Sequence, residues 1–317
     1  MLKQSLTGIL VAVLTTVSAA SATAATAPVS NPRIQVHFDL AAGQQPENIA
    51  FEPDGSVDLV LAGSYQLANV NRRGETRVLA TLPTPADGGV NTPALGFALT
   101  TGLARAWDGT LYVGFAAGSD ELTGIWKVRP GGVPHRVGVL PATSFPNGMA
   151  LNQFTGDLFV SDSALGRIWR VPTRGGTPSV WLSDPALNRD GLLGANGLKL
   201  HKGAVWATNT DSGKLLRIPF TPRGTAGPVE TKATGMPGID DFDFLGRGDT
   251  VIAALNGPNE VVLIKPDGTR SPVLTAEDGL SGPTSLGIRG NTLYVGSASF
   301  LLRQDPNLLL ADLSRHH

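Results

Sequence analysis

One pattern recurs along the chain and limits its fold more than any other feature: a glycine turn, a short apolar strand, a small or polar turn, and another strand. Aligned on the glycine, it falls at Gly55, Gly109, Gly156, Gly203, Gly248 and Gly290, with spacings of 54, 47, 47, 45 and 42 residues. The strands that follow these glycines include Asp58-Leu59-Val60-Leu61, Leu158-Phe159-Val160 and Val205-Trp206-Ala207. Each leads to another strand, such as Ile125-Trp126-Lys127-Val128 or Leu215-Leu216-Arg217-Ile218, with a weaker Phe300-Leu301-Leu302 in the last unit. A period in the forties built from short strands is that of a propeller blade. The expected fold is all-β: a six-bladed β-propeller with about four antiparallel strands per blade. The ring would be closed by Ile34 to Phe38 pairing with the last blade, or by Leu308 to Leu313; the pattern fits either.

Composition agrees with many short strands joined by tight turns, since Gly 39 and Pro 23 are both high. The net charge of −1 offers nothing to nucleic acid or to an anionic membrane surface. No cysteine is present, which excludes disulfides, thiolate metal sites and cysteine nucleophiles. Residues 1–27 read as a signal peptide and short leader, with Lys3, an apolar run from Leu6 to Val17, and small residues from Ala20 to Ala25 suited to cleavage. The run is short for a membrane span. The expectation is a secreted or periplasmic monomer, one propeller domain over residues 33–317, with no membrane span after processing.

The first strand of each blade starts at the central axis, and its first residue repeats in phase. The units begin Glu47-Asn48, Thr101-Gly102, Asn147-Gly148, Asn196-Gly197, Asp240-Asp241 and Thr284-Ser285. Equivalent positions converge on the axis, so Glu47, Asn147, Asn196 and Asp240 should aim oxygens at one small volume. Two carboxylates and two amide carbonyls form a hard, all-oxygen set that suits Ca²⁺, with Mg²⁺, Mn²⁺ or Zn²⁺ as alternatives. Asn-Gly is also a common two-residue hairpin turn, so each pair alone has a plain structural explanation.

Pro46-Glu47, the two Asn-Gly pairs and the acidic start at Asp240 resemble the metal quartet of the regucalcin and gluconolactonase family. That resemblance implies a six-bladed propeller that hydrolyses lactones or related esters with a divalent cation. It implies Asp240 as both metal ligand and catalytic acid-base, with Glu47, Asn147 and Asn196 as the other ligands. Three positions depart from the family pattern. Asn48-Ile49 follows the first ligand in place of Gly-Pro. Asp241 follows Asp240 in place of Gly, so either aspartate is a candidate. Phe145 stands where some members carry a substrate-binding Arg, which favours a more apolar substrate.

Turns between the second and third strands should rim the same mouth. They bring Tyr65, Phe115, Asn209 and Asn256, together with Phe145, forward as substrate-binding candidates. The partner is then a small molecule, a lactone or ester. Two other readings remain open: a non-catalytic propeller that binds a small molecule or protein, and a lyase akin to strictosidine synthase. No Gly-x-Ser-x-Gly elbow, His-Glu-x-x-His pair or phosphate loop occurs, and the five histidines show no ligand spacing.

Overall fold

The computed structural model describes residues 28–314; the expected leader at 1–27 lies outside the described residues. Six four-stranded antiparallel sheets form the blades. Blades one to five cover residues 46–81, 99–139, 146–183, 195–233 and 239–274, each strand pairing with the next in sequence. Blade six takes its three inner strands from 283–313, and its outermost strand is Val29–His37. Both candidate closing segments are therefore used, side by side: Asn307–Leu313 is the third strand and pairs with Val29–His37. Phe300 to Leu302, expected as that third strand, instead form part of a turn. Among the described residues no helix is long and apolar enough to cross a membrane.

Burial across a blade explains which strands are legible in sequence. The second strands of blades one to five are buried from end to end, as in Val57–Leu61 and Leu111–Ala116. They have a strand on either side and a blade on either face, so they read as continuous apolar runs rather than alternations. The fourth strands, such as Thr76–Thr81 and Ser179–Ser183, are mostly exposed or half-buried and carry little hydrophobic signal. Five of the six aligned glycines adopt positive φ; in blade five that role passes to Gly246 (φ 74°), because the turn there is longer. Of the five tryptophans, four are at least partly buried, while Trp107 is 69% exposed.

The inner strands share one irregularity. Each has a register shift at its start, between Pro46 and Asn48, Thr100 and Leu103, Pro146 and Met149, Ala195 and Leu198, Ile239 and Phe242, and Pro283 and Ser285. These are the positions of the in-phase polar column. A bulge re-aims a side chain that would otherwise alternate between sheet faces. The Asn-Gly pairs lie inside these bulged strands and are not hairpin turns; neither Gly148 nor Gly197 has positive φ. Glycine is required there by close approach between neighbouring blades. A Cβ on Gly148 would lie 2.5 Å from the Asn196 carbonyl oxygen, and one on Gly197 would lie 2.5 Å from that of Asp240.

Gly148→Ala is therefore expected to push blades three and four apart at the axis. Its cost should be about 1–3 kcal/mol of stability, as for other overpacked sites. Urea denaturation measures it; a cost near zero would mean that the blades yield freely there.

Candidate functional site

The four column residues arrive together on one end of the axis, and all are buried: Glu47 is 6% exposed, Asn147 4%, Asn196 2% and Asp240 7%. The orientation of the two asparagines is set by hydroxyls from the turns after the second strands. Asn147 Nδ2 donates to Ser163 Oγ (3.1 Å), whose own proton goes to the Ala195 carbonyl (2.6 Å). One blade on, Asn196 Nδ2 donates to Thr210 Oγ1 (2.9 Å), which donates to the Ile239 carbonyl (2.9 Å). Each hydroxyl spends its proton on the next blade and must accept from the amide. That fixes the amide nitrogen on the hydroxyl and leaves Oδ1 of both asparagines free for a ligand.

The carboxylates carry matching signs of an incomplete site. Glu47 Oε2 is buried without a hydrogen-bond partner. Burial pushes the Glu47 carboxyl well above its ordinary range, and the charge of nearby Asp240 pushes it further, while Thr284 partly counters both. Asp240 is likewise raised, first by burial and then by Asp241, with the amides of Asn256 and Asn196 pulling it back. Two buried carboxylates facing one another without a counter-charge favour protons, or a cation in their place. Among the described residues no group of three or more His, Cys, Asp or Glu is arranged to hold a metal. A cation here would depend on the amide oxygens as well, as the all-oxygen set requires. The donor set and its unpartnered oxygen fit a hard divalent ion.

The aspartate pair at the start of blade five divides its work. Asp241 forms an ion pair with Lys199 of blade four, with Nζ 2.8 Å from Oδ1 and 2.9 Å from Oδ2. Asp240 has no such cation, and of the two it presses harder on Glu47. Asp241 is thus the charge-compensated member of the pair. Further down the same strand, Asp243 accepts from the backbone N–H groups of Phe244 and Ile288, both at 2.8 Å, tying blade five to blade six. Sequence reasoning passed over Lys199, Thr210 and Thr284. Thr284 stands in the column's own phase, whereas Lys199 shares its repeat position with Ala50, Ala104 and Ala150 and carried no such signal.

The rim candidates take different places. Asn256 stands beside Asp240, with its Oδ1 unpartnered. Asn209 is buried and fully engaged: its Nδ2 donates to the carbonyls of Ala186 and Asn188, and its Oδ1 accepts from the Ser212 N–H. It holds the 184–194 loop. Asp162 is similarly occupied, by four donors including Trp169 Nε1. Phe115 is wholly buried in the core between blades one and two, with Tyr65 packed on it at 5.4 Å. Phe145 belongs to a separate apolar cluster with Ala62, Leu99 and Ala116, against which Leu95, Leu193 and Phe300 pack. These last three come from the loops at 82–98, 184–194 and 298–306, so the long loops meet on an apolar patch beside the quartet.

No family model matches the chain, and no curated protein matches it either. Solved structures do. Regucalcin from Agrobacterium tumefaciens, described as a calcium-binding protein, is 17% identical, with a TM-score of 0.65 over 91% of this chain and 96% of that one. A gluconolactonase from Xanthomonas campestris is 15% identical, with a TM-score of 0.62 over 91% and 96%. Virginiamycin B lyase from Staphylococcus aureus, in a catalytically inactive histidine-to-alanine form with quinupristin, is 14% identical, with a TM-score of 0.58 over 90% and 100%. At these identities the likeness is one of fold: the chain is a six-bladed propeller whose structural neighbours include gluconolactonase and regucalcin.

The raised acids have a measurable consequence. Glu47 and Asp240 hold protons more tightly in the folded chain than in the unfolded one. The stability they lend is full at low pH and is lost as pH rises from their ordinary values of 4.5 and 3.8 through the raised folded ones. Denaturation of chelated protein from about pH 5 to about pH 8 should show that fall, and Glu47→Gln should make it shallower. An unchanged slope in the variant would remove Glu47 from the coupled pair.

Proposed function

We propose that this chain is an exported, divalent-cation-dependent hydrolase of lactones or related esters, working at the axial quartet. The observation that carries the reading is the fixed orientation of the two amides. Both present Oδ1 beside two carboxylates, one of which keeps a buried oxygen without a partner. Glu47, Asn147, Asn196 and Asp240 would hold the ion, and Ca²⁺ suits the all-oxygen set best. A bound divalent cation supplies a Lewis acid for an ester carbonyl and for the oxyanion that follows. Asp240 would move the proton. Burial and Asp241 raise its affinity for that proton, and a bound cation would pull it back down. Asn256 is placed to orient that carboxylate, and Lys199 keeps Asp241 charge-compensated and out of the way.

The apolar patch around Phe145, with Leu95, Leu193 and Phe300, supports a substrate with a hydrocarbon portion over a polyhydroxylated one. A lyase reading has less support. The lyase neighbour is inactive as a histidine-to-alanine form, whereas the described histidines here lie elsewhere. His37 pairs with Asp305, His135 is exposed, and His201 stacks on Phe244 at 3.7 Å and meets the Gly248 carbonyl. Export rests on the leader read from the sequence.

The test is hydrolysis of aliphatic and sugar lactones, followed by proton release, on chelated protein and after Ca²⁺ is restored. Turnover should vanish with chelator, return with Ca²⁺, and fall by about 10²-fold or more in Asp240→Asn. Turnover indifferent to both would sink the reading. A second expectation concerns the ion alone: Ser163→Ala and Thr210→Val, which release the amides, should each weaken Ca²⁺ binding by about tenfold or more in calorimetry.

A further inference from the structure

The six blades allow one position to be compared with its own repeats. In the second strand of each blade, opposite the fourth residue of the inner column, stand Asp58, Tyr112, Phe159, Trp206, Ile252 and Tyr294. Five are large and apolar or aromatic, and each packs into the gap towards the next blade. Tyr112 joins the core it shares with Met149 and Leu158, Phe159 that with Leu198 and Val205, and Trp206 that with Phe242 and Val251. Blade one breaks the rule. Asp58 is small and charged, and the gap between blades one and two holds a cavity of about 520 Å³ on the face away from the quartet. That volume lies in the ordinary range for small-molecule sites.

The cavity is chemically unfinished. Asp58 is 1% exposed; its Oδ1 accepts from Asn69 Nδ2 (2.8 Å), but its Oδ2 has no donor. Beside it Glu52 is held by the Arg105 fork, with both N–O distances 2.7 Å. Two carboxylates thus face each other with no donor between them, and burial and Glu52 push Asp58 up to about 7. The other acids of the lining are engaged in their own turns, Asp54 with Ser56 and Asp108 with Thr110. Arg77 and Arg129 also line the cavity, and among the described residues neither guanidinium has a hydrogen-bond partner. Val78, Leu111 and Val128 add apolar lining.

We propose that this inter-blade cavity binds a small zwitterion, a free amino acid or dipeptide, with its ammonium group received by Asp58 and Glu52 and its carboxylate by Arg77 and Arg129. A charged donor completes the buried carboxylates, as a buried charge demands. The guanidiniums suit planar recognition of a carboxylate. A simple amine would leave the arginines unanswered, and a simple acid would leave Asp58 so. A metal ion is a poor occupant, since among the described residues no set of three His, Cys, Asp or Glu is grouped for one. The site is independent of the quartet and of the hydrolase reading.

The experiment is calorimetry and thermal shift of the full chain against free L-amino acids and dipeptides, with the N-acetylated and C-amidated form of each as controls. At least one zwitterion should bind, and its acetylated and amidated forms should each lose about tenfold or more in affinity. Asp58→Leu, which fills the gap as the other blades do, should abolish binding and raise Tm, because an apolar replacement removes a strained buried charge. The surface double variant Arg77→Ala with Arg129→Ala should fold normally, keep any turnover at the quartet, and weaken binding by about tenfold. The proposal fails if no zwitterion binds the unmodified chain, in which case Asp58 and Glu52 only share a proton. It fails equally if acetylated and free forms bind alike, or if the double variant binds unchanged.

Discussion

The inner strands of blades two to five approach so closely at the axis that no Cβ fits after the column residue of blades two, three and four, where Gly102, Gly148 and Gly197 stand. The space left for a Cβ at Gly148 or Gly197 is occupied by the neighbouring blade's backbone oxygen. This contact governs much else. It demands glycine after each asparagine, and it accompanies the register shift that every inner strand shows at that level. The polar column is turned by those shifts, so site geometry and ring closure are one constraint. A change that loosens the ring at the axis changes where the carboxylates and amides point.

Hydroxyls convert that constraint into chemistry. Ser163 and Thr210 each bridge an asparagine amide to the next blade's backbone, and Thr101 and Thr284 reach the carbonyls of Pro146 and Pro46 in the same manner. The asparagine and threonine side chains of the column are thus tied to the blade that follows each. The arrangement leaves carbonyl and carboxylate oxygens as the free groups, and it concentrates acid without a counter-ion among the described residues. Lys199 is paired with Asp241. The remaining pair, Glu47 and Asp240, is where an ion gains most from the protein.

Much of this was legible in sequence, and the reason is periodicity. Period and phase alone gave the blade count and the column of Glu47, Asn147, Asn196 and Asp240. Phase failed where the repeat is diluted. Phe300 to Leu302 are apolar and correctly spaced but belong to a turn, because blade six borrows its outer strand from the chain start and places its third strand at Asn307–Leu313. Asn209 looked like a rim residue and proves to be a loop tether, since a side chain's partners depend on the neighbouring loop and not on its own repeat. What distinguishes Asp241 from Asp240 is Lys199, which lies 41 residues or more away in sequence and one blade away in space.

The repeats also serve as an internal standard for reading departures. Where five blades fill a gap with a large side chain and one leaves a buried aspartate, propensity cannot be the cause, because every blade offers the same backbone. Burying Asp58 beside Glu52 costs stability that an aromatic residue would not. The chain tolerates that cost in one gap only, on the face opposite the quartet, and lines the same gap with Arg77 and Arg129. A defect of folding would be expected to lack such matched groups. Acidic and basic groups lining one cavity are instead what recognition of a zwitterion requires.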